Sequence, residues 1–422
     1  MNNILHVKYK KQILANGLEV TLLKDNSIPL VSVNLWYKVG SANESTNKTG
    51  FAHLFEHMMF QGSRHVPKEM HFKYIQEAGG TLNGSTSLDR TNYYETLPSN
   101  FLELALWLES DRMGFLLPAL TEEKLQNQKD VVMNERRQRY ENQPYGLAWE
   151  TLLSNLFDKN HPYSWPTIGW MADIERFELE DVKNFFKTYY APNNASLVVV
   201  GDIEYDATFN LIEKYFGEIP KGNSIPEIKV DKKGLTENVS IELEDNVQLP
   251  RIYLAWQSDK MYSKDDAPLD LFSEILTGSK NSRLYKSLVY DKQIAQDVTS
   301  FQYSAKLCGM FIIIATAKPG VPLDEIKNTI FSEIKNLSKF GVEDDELIRA
   351  VNGIKSNYIY SLQRQSTLAD QINNYNCNLH EPNSFLFDIG RYEKTTKKYL
   401  TSAGIKYVSK PFVELRIIPK AK

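Results

Sequence analysis

The chain of 422 residues sets 49 Lys and Arg against 53 Asp and Glu, for a formal net charge of −4. That length outgrows a single hydrophobic core, so two domains are expected. The mixed, near-balanced charge argues for a soluble protein and excludes an electrostatic nucleic-acid binder. No apolar run reaches the ~18–20 residues of a membrane span, and Met310–Ala317 falls far short. Cys308 and Cys377 are too few for a disulfide framework or a cysteine zinc site, and are expected to be buried thiols in a reducing compartment.

The first twelve residues are polar and basic, with no apolar stretch or cleavage site. A cytoplasmic location is therefore expected, or a periplasmic one if a leader has been removed. Lys8, Lys10 and Lys11 read as solvated surface. Glu19 to Leu30 leads into a strand over Val31–Val39, with period-two alternation. Next comes His53-Leu54-Phe55-Glu56-His57, flanked by Gly50, by apolar Phe51, Met58 and Met59, and by Gly62-Ser63 as a stop. On a helix, positions 53, 56 and 57 fall within a ~100° arc, so two imidazoles and a carboxylate share one face. Neutral imidazole is a common zinc ligand, and a carboxylate beside a metal can take a proton from its water. The order H-x-x-E-H is the inverse of the H-E-x-x-H zinc motif. Histidines at this spacing also occur as ordinary packing residues, and these five residues alone leave metal and packing both open.

Thr121–Tyr140 reads as a long polar helix with Leu125, Val132 and Met133 as its apolar side. A catalytic zinc needs a third protein ligand, and Glu135 on this helix is the candidate. Taken by itself, a Glu among arginines is a solvated ion-pairing residue. Ala195–Val200 is a short buried strand and Ala207–Phe216 a helix. Pro220, Gly222 and Pro226 mark a linker, which places a boundary near residue 225 between domains 1–225 and 226–422. Ser240–Pro250 leading into Arg251–Trp256 repeats the strand-turn-strand of the first half. Met310–Ala317 reads as the counterpart of Ala195–Val200, with a helix over Leu323–Leu337 after it. Each half is expected to be an antiparallel sheet packed with helices, an α+β architecture of two homologous domains. His6, His65, His71, His161 and His380 have no ligand spacing and read as surface or packing residues.

An ordered set of motifs resembles the pitrilysin/insulinase family of inverted zinc peptidases, in the subfamily of mitochondrial processing peptidase and its bacterial relatives. It comprises Asn16-Gly17-Leu18, the strand Val31–Val39 with Gly40-Ser41-Ala42-Asn43-Glu44 after it, Thr49-Gly50-Phe51-Ala52 running through His53–His57 to Gly62-Ser63, Gly79-Gly80-Thr81-Leu82-Asn83-Gly84, Asn134-Glu135-Arg136-Arg137, Asn142-Gln143-Pro144-Tyr145-Gly146, His161-Pro162-Tyr163, Tyr190–Asn194 and Val200-Gly201-Asp202. The resemblance implies two homologous domains forming half of a clamshell. It implies Zn2+ held by His53, His57 and Glu135, with Glu56 as general base. Many members carry a supporting Glu seven residues before the ligand Glu; here that position is Gln128, which can hydrogen-bond but carries no charge. The stretch Gly79–Tyr94 is the family's open edge, where an extended peptide adds as a further strand; read without the family it is an ordinary hairpin. Asn83 is the candidate substrate contact, and Gly84 stands where Ala is commoner.

The family's C-terminal Arg and Tyr, seven positions apart, which grip the scissile carbonyl, fall here on Val289 and Gln296. Arg283 and Tyr290 share the separation but belong to an earlier register and read as structural. The expectation is a metalloendopeptidase for unstructured peptides, the zinc subunit of a heterodimer whose homologous partner supplies Arg and Tyr. The competing readings are a non-catalytic structural subunit of a larger complex and a chain that holds peptide for a partner to cut. No nucleic-acid or membrane partner is expected.

Overall fold

The structure is a computed structural model that describes residues 7–230 and 233–420. Residue contacts divide the chain into two compact units built from interleaved segments. The first comprises the described residues up to Arg136, Trp165–Lys229 and Ile359–Leu386; the second comprises Arg137–Ser164, the described residues of Val230–Tyr358, and the described residues from Phe387 onward. The linker read at 218–226 lies near the end of the first unit's middle segment. His6 lies outside the described residues.

The first unit holds a six-stranded sheet made of β1 (Tyr9–Ile13), β2 (Glu19–Lys24), β3 (Leu30–Tyr37), β4 (Thr81–Thr86), β5 (Thr91–Pro98) and β6 (Ala195–Gly201). The spatial order is β1-β2-β6-β3-β5-β4, antiparallel throughout except for the parallel pair β2–β6. Side chains alternate between faces. On one face Asn34, Trp36, Asn92 and Ser196 form a polar layer under the helix Gln365–Leu379. There Asp370 Oδ1 accepts from Trp36 Nε1 at 2.8 Å and from Asn92 Nδ2 at 3.0 Å, while Asn373 Nδ2 donates to the Asn34 carbonyl at 2.9 Å and Asn376 Nδ2 to Ser196 Oγ at 2.8 Å. The helices α1 (Phe51–Met58), α2 (Met70–Glu77), α3 (Leu102–Phe115) and α4 (Glu122–Arg136) complete the first stretch of this unit. The helix expected over Thr121–Tyr140 is α4, and it winds on into a wider π-type turn, Arg137–Glu141. Gly79–Tyr94 is a hairpin rather than one strand, with Ser87–Arg90 as its turn, and β4 is the outer strand of the sheet.

The second unit holds β7 (Val239–Asp245), β8 (Arg251–Ser258), β9 (Ala295–Tyr303), β10 (Gly309–Ala317) and β11 (Val413–Pro419) in the order β7-β11-β8-β10-β9. Only β7–β11 is parallel. This repeats β2-β6-β3-β5-β4 strand for strand and direction for direction, so the repeat is real, with one correction. The counterpart of β6 is β11, and β10 corresponds to β5. Both β6 and β10 are buried apolar runs that precede a helix, and that shared pattern made them look equivalent. Trp256, Phe272 and Phe311 sit at the centre of this unit's core.

The cysteines are half-buried rather than buried. Cys377 falls off the stripe of the helix Gln365–Leu379 that faces the sheet, whose buried positions include Ala369, Ile372, Asn373 and Asn376. No helix among the described residues is long and apolar enough to cross a membrane.

Candidate metal centre

The helix α1 begins at a fixed point. Gly50 has φ +87°, and a Cβ there would lie 2.3 Å from the Ile168 carbonyl oxygen, so the backbone approaches too closely for any side chain. Thr49 is clamped next to it, its hydroxyl donating to Asp173 Oδ2 at 2.6 Å. Glu44 reaches across the helix start. Its carboxylate accepts the Gly50 N–H at 2.9 Å, the Ala52 N–H at 2.7 Å and Trp165 Nε1–H at 3.0 Å. An acid at a helix N-terminus satisfies orphan donors and meets the positive end of the dipole. Burial nevertheless pushes the Glu44 carboxyl up to about 8 against those donors. Phe51, Ala52, Leu54, Phe55 and Met58 are buried, so the turn between them presents His53, Glu56 and His57 together.

The helix α4 packs against α1. Leu125 and Val132 are fully buried, and Lys129 Nζ donates to the carbonyls of Glu175 at 2.7 Å and Phe177 at 3.1 Å, which sets the height of the helix. Glu135 then arrives with Oε2 3.4 Å from His57 Nε2 and 3.8 Å from His53 Nε2. The three candidate ligand atoms all lie within 4.8 Å of one another, and the two imidazole rings meet edge to face with centroids 4.9 Å apart. Ligands ~2.0–2.1 Å from a tetrahedral zinc stand about 3.3 Å apart, so closing this set takes shifts of about an ångström or less. Two imidazoles and one carboxylate are a donor set that zinc accepts.

Glu56 sits between α1 and β4. Its Oε2 accepts from Thr86 Oγ1 at 2.5 Å. Burial raises its pKa and the nearby Glu135 adds to the rise, while Thr86, His57 and Arg90 oppose it. Gly84, two residues before Thr86 and on the same face of β4, lies so close that a Cβ there would meet Glu56 Cγ at 3.1 Å and Oε1 at 3.2 Å. Asn83 points to the opposite face from Gly84 and Thr86. It is exposed, and its Oδ1 accepts the Gly84 N–H at 2.9 Å. Gln128 is buried on α4 and donates to Asn127 Oδ1 at 2.9 Å.

The sequence alone assigns no role to Glu44, the last residue of the Gly40-Ser41-Ala42-Asn43-Glu44 motif, or to Thr86, one of the polar residues of Gly79–Tyr94. The available signals were an acid six residues before the helix-opening glycine, and the period-two relation of Thr86 to Gly84. Elsewhere in the chain, Arg283 is spent on a bidentate pair with Glu346, at 2.8 and 2.7 Å, and on the Gly341 carbonyl at 2.8 Å; Tyr290 is exposed. His65 Nδ1 pairs with Asp111 Oδ1 at 2.5 Å, His71 is buried, His161 stacks on Phe157, and His380 closes a helix in the left-handed conformation.

Residues 19–168 match the family described as Insulinase (Peptidase family M16), and residues 176–354 match the one described as Peptidase M16 inactive domain. The chain is 30% identical over 373 residues to the zinc protease PqqE of Helicobacter pylori, covering 87% of this chain and 83% of that one. It is 24% identical over 370 residues to the probable mitochondrial-processing peptidase subunit beta of Arabidopsis thaliana, covering 85% of this chain and 68% of the relative. A crystal structure of a protease from Helicobacter pylori superposes with a TM-score of 0.91 at 27% identity, covering 98% of this chain and 100% of that one.

Proposed function

This chain belongs to the insulinase (peptidase M16) family, whose named relatives include the zinc protease PqqE, and on that premise we propose that it is a zinc-dependent endopeptidase for unstructured peptides. In this reading His53, His57 and Glu135 are the ligands and Glu56 is the general base. The observation that carries it is the approach of both Nε2 atoms to a single oxygen of Glu135, which comes from a separate helix. Zinc bound there would supply the Lewis acid that activates water.

The chain's own residues do the rest. Thr86 occupies one oxygen of Glu56 and leaves the other to take a proton as water attacks the peptide carbonyl, and to hand it to the leaving amine. Burial raises the proton affinity of Glu56 and so favours that transfer. The free edge of β4, beside α1, offers main-chain hydrogen bonds to an extended peptide, which give affinity without demanding a particular sequence. Asn83 at that edge is the side chain assigned to substrate. Gln128, two helical turns before Glu135 on the same face of α4, is assigned the neutral supporting position, although its described hydrogen bond goes to Asn127.

The oxyanion-stabilising Arg and Tyr are assigned to a homologous partner subunit. Val289 and Gln296 stand at the family positions, and Arg283 is committed to Glu346. A missing oxyanion donor costs ~10²–10³ in rate, so the chain alone should be slow by that factor. A non-catalytic subunit is the second reading, suggested by the inactive-domain match of the second half; the retained set of His53, Glu56, His57 and Glu135 weighs against it.

Metal analysis and a fluorogenic-peptide assay, on the chain alone and with its homologous partner, separate these readings. Glu56→Gln should keep zinc and lose turnover, and His53→Ala should lose zinc. Wild-type turnover in Glu56→Gln would remove the base assignment. A zinc-loaded pair that cleaves nothing would remove the enzyme, and full activity of the chain alone would remove the division of labour.

A further inference from the structure

The second unit contains a cavity of about 1030 Å³ whose wall brings together Tyr145, Asp245, Arg251, Asp297, Thr316 and Lys420. None of the residues assigned to the metal centre lines it. Tyr145 is held at φ +61°, a conformation costly for a bulky side chain that persists only where its surroundings demand it. Three contacts enforce it. Its N–H donates to Asp245 Oδ2 at 2.8 Å, its hydroxyl donates to the Leu249 carbonyl at 2.7 Å, and the Arg251 guanidinium stacks 3.7 Å from its ring centroid. Arg251 Nε donates to Thr316 Oγ1 at 2.9 Å, and that hydroxyl donates to Asp297 Oδ1 at 3.1 Å. The plane of the guanidinium is thereby fixed, yet among the described contacts no carboxylate stands within ion-pair reach of it.

The same holds for Lys420, and neither Asp245 nor Asp297 has a cationic partner among the described ion pairs. The cavity therefore carries two unpaired charges of each sign. Arg251 Nη1 also donates to the Tyr253 hydroxyl at 3.5 Å, and a stacked guanidinium whose Nη2 is left uncommitted suits one oxygen of a carboxylate or phosphate. The two aspartates would repel a dianion and would welcome an ammonium group. The volume is of the size that takes ligands of a few residues, roughly 300–1,000 Å³ being usual for small-molecule sites.

We propose that this cavity binds short peptides with both termini free, the terminal carboxylate on Arg251 and Lys420 and the terminal ammonium on Asp297 and Asp245. This goes beyond hydrolysis and does not require it, although the products of a peptidase are ligands of this class.

The test is titration calorimetry on the Glu56→Gln chain, which does not consume the probe, using tetraalanine with free termini, its N-acetyl form and its C-amide. Free tetraalanine should bind at about 1 mM or tighter. Each cap should weaken binding about tenfold or more, the loss expected when a charged hydrogen-bonding group goes unanswered. Arg251→Met and Lys420→Met should each do the same. Lys420 is exposed, so its replacement leaves the fold intact and decides the matter should Arg251→Met fail to fold. Equal binding of either capped peptide, undiminished binding by Lys420→Met, no binding by about 10 mM, or inorganic phosphate binding as well as tetraalanine would each overturn the proposal. Cleavage by the wild-type chain is read in a separate assay, so a failed hydrolase leaves this result standing, and the reverse.

Discussion

Gly50→Ala is the sharpest perturbation of the proposed metal centre that touches none of its side chains. Gly50 opens α1 at φ +87°, and its added methyl would sit 2.3 Å from the Ile168 carbonyl oxygen and 2.9 Å from Gly169 Cα. The partner strand of chain has no freedom to retreat, because a Cβ on Gly169 would itself lie 2.3 Å from Gly50 Cα and Gly169 also has positive φ. The left-handed conformation costs an L-residue ~1–2 kcal/mol, and forced overpacking adds roughly 1–3 kcal/mol. The stiffer unfolded chain returns ~0.4–1 kcal/mol. The net loss is about 1–5 kcal/mol, which for a unit of this size lowers Tm by on the order of 10 °C. His53 lies three residues beyond Gly50, so a displaced helix start also moves a proposed ligand, and zinc affinity should fall. Thermal melting and chelator competition measure the two effects. If Gly50→Ala melts with the parent and binds zinc equally well, the helix start is not fixed by backbone approach, and the account of how α1 is positioned fails.

Two further outcomes are expected. Thr86→Val removes the hydroxyl that donates to Glu56 at 2.5 Å; it should leave zinc content and KM near the parent while cutting kcat by about 10–100-fold, the worth of a hydrogen bond to a charged group, and Thr86→Ser should restore most of the rate. Unchanged kcat would show that Glu56 needs no such tether. In the second unit, burial pushes the Asp270 carboxyl up to about 7, with Asp266 and Asp388 adding to the rise. The folded chain then holds a proton that the unfolded chain has released, so this group's contribution to stability declines as pH climbs from about 4 to about 7 and is level above. Asp270→Asn, which keeps an acceptor for the Tyr392 hydroxyl at 2.8 Å, should match the parent near pH 4 and exceed it at pH 8 by no more than about 4 kcal/mol. Parallel denaturation curves at the two pH values would contradict the shift.

The parts of the fold visible in the sequence are those written in local periodicity. The alternation of β3 and β8 and the buried run of β10 come through because each strand's neighbours are chemically obvious. The helix Gln365–Leu379 does not come through. Its sheet-facing positions include Asn373 and Asn376, fully buried, and Asp370, and such residues read as solvated until Asn34, Trp36, Asn92 and Ser196 are seen to answer them. Nor does any pattern announce that this late segment joins the first unit while Arg137–Ser164 joins the second. Buried polar layers hide from hydropathy because their cost is cancelled by partners hundreds of residues away.

The proposed metal centre divides along the same line. His53 and His57 share a helix face by spacing alone, whereas Glu135 joins them only because α4 is seated by Leu125, Val132 and the bonds of Lys129 to two carbonyls. Glu44 and Thr86 are further cases: each is a polar residue to which the sequence assigns no role, and its importance lies in what it touches, backbone N–H groups for one and a carboxylate for the other. Periodicity predicts which residues share a face, but which faces meet is decided by close approaches such as Gly50 against Gly169. At those points the absent side chain carries the information. A methyl group placed there therefore interrogates the geometry of the centre more directly than removal of a histidine, which reports only on the ligand removed.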